Sequence, residues 1–425
     1  MLQILKRKLS TKNMQKYKVD FINSGYRRWW KKRRKDVLKA IDDCGKRGDY
    51  VMRKDLLEFE GKLAEYTGTK YAVGVNSGTD ALRLALEALD ITGNYYYLHR
   101  LWKLGKITKE EMHARFEGDE VITVSHTFIA SIQVIAQAGA RPVLIDVGED
   151  GLMNPDLIEA AITPRTKAIM PIHLSGKICD MTKILEIANR RGLSVIEDAC
   201  QAMGAVQKVT SEFAGVGAKR ELKAGAIGMM GCFSFISPKL MGGFGDNGAI
   251  TTDSRELYEK LLLLRNHWNI TQGALHGHQP ETPKVMDWGW NSRMDNVQAA
   301  ALNVKFQDYP WILERRKQIA MMYNDGLKDL PIKLPIQQEG QVYQEFIIRV
   351  ENQAPFVQFM ADKGVELLIR DLTPNHKLEG YALDHFSLPV TEAMASAVVR
   401  LPTYPQLKDK EVQYVIKTIR KYFKK

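Results

Sequence analysis

No run of eighteen consecutive apolar residues occurs in this chain of 425 residues, so a membrane-spanning helix is not expected. The N-terminus is basic but has neither a continuous apolar stretch nor a small-residue cleavage site, which argues against a secretory signal and makes the cytoplasm the expected compartment. Cysteine is scarce. Cys44, Cys179, Cys200 and Cys232 are scattered, with no close-spaced pair of the kind that binds zinc and no dense disulfide framework, so reduced thiols and no metal site are expected. A dinucleotide fingerprint is missing too: Gly215-Val216-Gly217 has no third glycine and no strand leading into it, and Val206 to Lys223 reads as loop. Internal repeats and low-complexity tracts are lacking.

What is present is enough apolar residue, 45%, to bury a sizeable core, over a length that suggests one large domain and one smaller. The formal charge is +11, with Arg27-Arg28-Trp29-Trp30-Lys31-Lys32-Arg33-Arg34-Lys35 near the start. Such a run can grip phosphates or lie on an anionic membrane. Here it leads into Asp36-Val37-Leu38-Lys39-Ala40-Ile41, an amphipathic continuation, so a solvated helix face is the preferred reading and no nucleic-acid partner is expected. Excess positive charge also suits a small anionic substrate such as a nucleotide.

From Tyr71 to Thr251 short β-branched runs alternate with helical patterns. The runs are Tyr71 to Val75, Glu120 to Val124, Pro142 to Asp146, Ala168 to Ile172 and Leu193 to Glu197, and helical stretches between them include Asp80 to Leu89 and Met181 to Arg190. This alternation predicts an α/β fold, a mainly parallel sheet covered by helices on both faces, with ligands at the carboxyl ends of the strands. Asn94 to Phe116 reads as an insertion. After Asp295 a helical pattern runs to Leu327, broken near Pro310, and Tyr343 to Val350, Val365 to Arg370 and a closing helix, Asp409 to Phe423, suggest a smaller α+β unit. The expected division is a basic helical segment over residues 1–50, a large domain over 51–310 and a small one over 311–425.

Four places carry chemistry. Ser77-Gly78-Thr79-Asp80 follows a strand and opens a helix, where unpaired N–H groups, hydroxyls and a glycine suit a phosphate or serve as an ordinary cap. Asp198, in Glu197-Asp198-Ala199-Cys200-Gln201, ends another strand and can pair with a protonated ring nitrogen or cap a helix. Phe128 can stack on a planar ring or sit in the core. Lys239 lies in Phe233-Ser234-Phe235-Ile236-Ser237-Pro238-Lys239, ahead of a glycine-rich run from Gly242 to Gly248; small, aromatic and apolar neighbours would free its amine for attack on a carbonyl, unless it is a solvated loop lysine.

Together these are the parts needed to hold pyridoxal phosphate. With Thr163-Pro164-Arg165-Thr166-Lys167-Ala168-Ile169 and Asn291-Ser292-Arg293-Met294-Asp295, they resemble the DegT/DnrJ/EryC1/StrS sugar aminotransferases of aspartate aminotransferase fold type I, from about Lys54 to the C-terminus. The resemblance implies that Lys239 forms the internal aldimine and moves the proton. It implies that Asp198 faces the ring nitrogen, Gln201 the phenolic oxygen and Phe128 the ring face, with Ser77, Gly78, Thr79, Asp80 and Ser234 around the phosphate. Asn291 is similar to the asparagine that reaches the neighbouring subunit's phosphate, which implies a homodimer with shared active sites.

The implied reaction is ping-pong transfer of an amino group from L-glutamate, leaving 2-oxoglutarate, to the ketone of a nucleotide-linked keto-sugar, in amino-sugar, surface polysaccharide, lipopolysaccharide or glycoside biosynthesis. Related dehydratases carry histidine at the position of Lys239, so the lysine favours transamination; a non-catalytic regulator on this scaffold is the other alternative. The chain departs from many members at Met203, in place of histidine, and at Arg370-Asp371, in place of a His-Tyr pair. Arg370 is a candidate fork for a carboxylate or phosphate, or else pairs with Asp371 at the surface. His276 and His278 are candidate substrate contacts or solvated loop residues.

Overall fold

The β-branched runs become strands whose side chains are buried on both faces, as parallel sheets require. The computed structural model describes residues 17–211, 216–269, 285–370 and 372–424. Its strands are β1 (Tyr71–Val75), β2 (Glu120–Val124), β3 (Arg141–Ile145), β4 (Thr166–Ile169), β5 (Ser194–Asp198), β6 (Val206–Ser211), β7 (Val216–Lys223), β8 (Met230–Ser234), β9 (Gly248–Thr252), β10 (Phe346–Arg349) and β11 (Val398–Leu401). Among the described residues the central sheet has the order β1-β9-β8-β5-β4-β2-β3. The pairs β2 with β3, β2 with β4, β4 with β5 and β5 with β8 are parallel, and β9 alone runs against its neighbours β1 and β8. Helices include α1 (Asn23–Arg47), α2 (Gly78–Ala88), α3 (Tyr95–Lys103), α4 (Lys109–Ala114), α5 (Ala130–Gln137), α6 (Met181–Arg191), α7 (Asn296–Phe306), α8 (Tyr309–Leu327) and α9 (Asp409–Phe423).

The main core is built from strand residues such as Val73, Val121, Ile122, Ile169 and Ile196 with helix residues such as Leu82 and Ile184. Each aliphatic side chain fully buried there stabilises the fold by about 1.5–3 kcal/mol. Local signals fix the ends: Asp180 caps α6 through the Lys183 N–H, and Gly192 is left-handed at its C-terminus with φ 65°. Pro310 sits in the first turn of α8, where its missing N–H costs no helical hydrogen bond.

A second core gathers Ile319, Phe346, Phe356, Val399 and Val415, and Val19 belongs to it through its parallel bridge to Val365. The expected boundary at Pro310 falls at the start of α8; Tyr309 and Ile312 belong to the first core and Ile319 to Leu327 to the second. Buried Arg316 lies at this crossing, its Nη1 donating to the carbonyls of Tyr343 (3.2 Å), Gln344 (3.0 Å) and Thr403 (3.0 Å). Arg316→Leu strands those acceptors, so a loss of about 3 kcal/mol or more is expected in denaturant unfolding of the small domain.

Three expectations change. Within the segment read as loop, β6 and β7 form an antiparallel pair, with register from Val206 with Lys223 to Ser211 with Val216. Val365 to Arg370 forms no strand and contributes only the isolated bridges of Val365 to Val19 and Leu368 to Arg400. The basic run forms α1, but it is not simply a solvated face. Trp29 Nε1 and Arg33 both donate to Asp308, and Arg28 forks onto Glu411, so the run ties the N-terminal helix to α8 and α9. The insertion, α3 and α4, folds on its own small cluster of Tyr95, Leu98, Met112 and Phe116 with Ala382. Among the described residues no helix is long and apolar enough to cross a membrane.

Candidate active site

β1, β2, β5 and β8 point the same way, so their carboxyl ends put Ser77, Phe128, Asp198 and Ser234 along one edge of the sheet. Side chains alternate across a strand, and in β5 this separates two carboxylates. Glu197 faces inward, accepting the N–H groups of Gly225 (2.8 Å), Ile227 (2.7 Å) and Gly228 (2.6 Å) and lying 2.8 Å from His173 Nε2. Asp198 faces the edge. Its Oδ2 accepts from Ser131 Oγ at 2.7 Å and its Oδ1 from the Cys200 N–H at 3.2 Å, which fixes the carboxylate while keeping it 94% covered, given its 6% exposure.

Ser131 also bonds Thr127 Oγ1 at 2.9 Å, and Asn375 Nδ2 donates to the carbonyls of Ser125 (3.0 Å) and Thr127 (2.7 Å). The loop carrying Phe128 is thus held from both sides. The Phe128 ring itself stays 57% exposed, facing a small cavity shared with Thr127, Arg370 and Arg400. It is not a core phenylalanine.

At the start of α2, Ser77 Oγ accepts the Asp80 N–H at 3.0 Å. The N–H groups of Gly78 and Thr79 lie in the first turn, where no intrahelical acceptor exists. A Cβ on Gly78 would stand 2.5 Å from the Ser234 Cβ and 3.1 Å from Cys200 Sγ, so only glycine lets this helix end meet the end of β8. Burial first, and then the Asp198 carboxylate, push the Cys200 thiol well up and keep it protonated. The Asp80 carboxylate turns away, accepting from Ser292 Oγ (2.8 Å) and pairing with Arg83 (2.6 Å). The carboxylate thereby braces the helix end against Ser292, while the Asp80 N–H faces Ser77 Oγ.

Lys239 is half-buried in the loop after β8. Its N–H bonds the Ile236 carbonyl (2.9 Å), its carbonyl accepts from Gly242 (2.9 Å), and Gly243 N–H returns to Phe235 (2.7 Å). A Cβ on Gly242 would be 2.0 Å from the Ser237 carbonyl oxygen, so this tight turn requires glycine. Lys305 donates to the Gly242 carbonyl, and Gln344 Nε2 to that of Pro238 at 2.8 Å, anchoring the loop from both domains. Gln201 is buried; its Oε1 accepts the Ser175 N–H at 3.0 Å, which leaves the amide Nε2 as a donor. Ser175 is held left-handed, with φ 58°.

Met203 is buried, its carbonyl accepting from Tyr309 Oη at 2.7 Å. Arg370 pairs with Glu345 at 2.8 Å. Asn291 is exposed and forms an isolated bridge with Asn266; it directly precedes Ser292, whose hydroxyl bonds Asn76 (3.2 Å) and Asp80 (2.8 Å) at the start of α2. Asp371, His276 and His278 lie outside the described residues. Sequence reasoning missed Ser131, Ser175, Ser292, Glu345, Asn375 and Arg400. All act through partners distant in sequence, for which no local pattern exists.

The residues fit a phosphorylated planar heterocycle. Free helix-end N–H groups, Ser77 and Ser234 suit its phosphate, the braced Asp198 a protonated nitrogen, and the open face of Phe128 its ring.

Comparison with known proteins agrees. The family model described as the DegT/DnrJ/EryC1/StrS aminotransferase family matches residues 31–420. The chain is 33% identical to the dTDP-3-amino-3,4,6-trideoxy-alpha-D-glucose transaminase of Micromonospora megalomicea subsp. nigra, covering 92% of this chain and 96% of that one. It is 35% identical to the dTDP-3-amino-3,6-dideoxy-alpha-D-galactopyranose transaminase of Aneurinibacillus thermoaerophilus, covering 91% and 95%. The S. venezuelae DesV structure, solved with a ketimine intermediate, superposes with a TM-score of 0.79 at 32% identity over 94% of this chain and 97% of that one.

Proposed function

This chain belongs to the DegT/DnrJ/EryC1/StrS aminotransferase family and is a pyridoxal-phosphate-dependent sugar aminotransferase, and from that premise we propose that it carries an amino group from L-glutamate to the ketone of a nucleotide-linked keto-sugar. The observation that carries the reading is that braced Asp198 and Lys239 both stand near enough to the Cys200 thiol to act on its charge, which sets an amine and a fixed carboxylate near one sheet-edge residue.

When bound, pyridoxal phosphate supplies a carbonyl for the incoming amine and a sink for the electrons left when a carbon loses its proton. Lys239 would take the proton from the donor's α-carbon and return one to the cofactor side. Its loop, tied down at Pro238 and Gly242, holds the amine within reach of both positions. Asp198 would keep the ring nitrogen protonated, with Ser131 and the Cys200 N–H fixing the carboxylate's orientation so that no reorganisation is needed. Gln201 would donate its amide to the phenolic oxygen, Phe128 would cover the ring, and Ser77, Gly78, Thr79 and Ser234 would hold the phosphate.

Asn291 would act from a second copy, in a homodimer. Exposed apolar residues next to it support this: Trp288 is 92% exposed, Met286 72% and Trp290 42%, more than a solitary surface leaves open to water. Trp288→Asp is expected to move the protein from dimer to monomer in sedimentation velocity and to weaken cofactor retention with it.

The test of the reaction is a panel of nucleotide keto-sugars incubated with glutamate and read by mass spectrometry. A product with an amine in place of the ketone, and 2-oxoglutarate in equal amount, is the expected result. No aminated sugar from any member of the panel overturns the reading.

A further inference from the structure

Glu345 is a buried carboxylate the reaction does not use. Its Oε1 lies 2.8 Å from Arg370 Nη2 and its Oε2 2.9 Å from Arg400 Nε, so its two oxygens bridge two guanidinium groups. The three residues come from separate places, Glu345 ahead of β10, Arg400 in β11 and Arg370 after the bridge at Leu368, and they converge beside the lysine. One cavity is lined by Pro238, Lys239, Glu345 and Arg370; a second is lined by Thr127, Phe128, Arg370 and Arg400. Arg370 therefore stands at the junction of the amine and the ring-stacking face.

We propose that Arg370 and Arg400 form a carboxylate subsite beside Lys239, filled in the resting enzyme by Glu345, and that a carboxylate of the amino donor displaces Glu345 from Arg370. The proposal rests on the reading of the donor as an amino acid. The site already accommodates a planar group with two oxygens, so a donor carboxylate exchanges like for like, which a tetrahedral phosphate does not. The two arginines differ as the exchange requires: the Arg400 side chain is 2% exposed and keeps Glu345, whereas that of Arg370 is 36% exposed and lines both cavities. Burial pushes the Glu345 carboxyl up, but Arg400, Arg370 and Lys239 reverse this and hold it at about 2, so the group that must be displaced is charged throughout the working range. Glu345 thereby sets a threshold that only a second carboxylate in the correct place overcomes, which is a means of selecting the donor.

The probe is glutarate, an unreactive dicarboxylate, titrated into the holoenzyme by calorimetry, with half-saturation for glutamate measured alongside in the single-turnover spectral change. Arg370→Leu is expected to weaken both by about 10–100-fold, the scale of a lost charge-assisted fork, with Arg370→Lys between it and the parent. Glu345→Gln, which removes the competitor, is expected to tighten glutarate by about tenfold. Circular dichroism identifies a variant that has not folded, and the remaining variants then decide. A parent protein that does not bind glutarate, or glutarate affinity unchanged in Arg370→Leu and Arg370→Lys, overturns the subsite. A rise in half-saturation confined to a carboxylate-bearing keto-sugar, with glutamate and glutarate unaffected, overturns its assignment to the donor. Failure of the functional reading looks different: glutarate binding still depends on Arg370, but glutamate aminates no sugar.

Discussion

Lys239→Ala is expected to retain pyridoxal phosphate without covalent attachment and to lose amino transfer by about 10⁴-fold or more. The two halves of this expectation come from different parts of the structure. Retention follows because the other contacts, the helix-end N–H groups, Ser77, Ser234, Asp198 and Phe128, belong to separate strands and do not depend on the lysine side chain. The loop also survives the change, since it is closed by backbone bonds from Lys239 to Ile236, Gly242 to Lys239 and Gly243 to Phe235. The loss follows because the described edge offers no second amine on the same loop to move the proton. Single-turnover spectra with glutamate measure the effect, and turnover at the parent's rate would remove Lys239 from the chemistry.

Asp198→Asn has the second-largest expected effect. The change keeps the side chain's size and an oxygen that can still accept from Ser131 or the Cys200 N–H, and removes only the charge. A protonated ring nitrogen opposite a neutral amide loses its counterion in a buried setting. A fall of about 10²–10³-fold in kcat is expected, the range found when a preorganised electrostatic partner is removed. Measurement of kcat and KM for glutamate separately distinguishes this from a binding defect, since the substrate's own contacts are untouched. A variant with unchanged kcat would show that the carboxylate only caps the end of β5.

The central sheet was legible because its signals are local. β1, β2 and β5 coincide with the β-branched runs to within a residue, and Ser77 and Asp180 mark helix starts by their side-chain caps. The place of Ser77, Phe128, Asp198 and Lys239 at strand ends was legible for the same reason, each lying at the end of a strand or within five residues of it. The pairing of β6 with β7 was not, because these largely polar strands have no apolar alternation to reveal them, and Gly215-Val216-Gly217 in the sequence resembles loop. The bracing of Asp80 by Ser292 was not legible, because the two residues lie 212 positions apart. Arg370 shows the same limit. The fold brings Glu345 to it from a segment 25 residues away, a partner that no sequence adjacency suggested.

The central claim is that Lys239 is the amine that bears the cofactor. Borohydride reduction of the purified holoenzyme, followed by proteolysis and peptide mass mapping, tests it most directly. The account predicts a pyridoxyl adduct on the peptide that contains Lys239 and no adduct after the same treatment of Lys239→Ala. An adduct on another lysine, or reduction that fixes no cofactor to the chain, would contradict it.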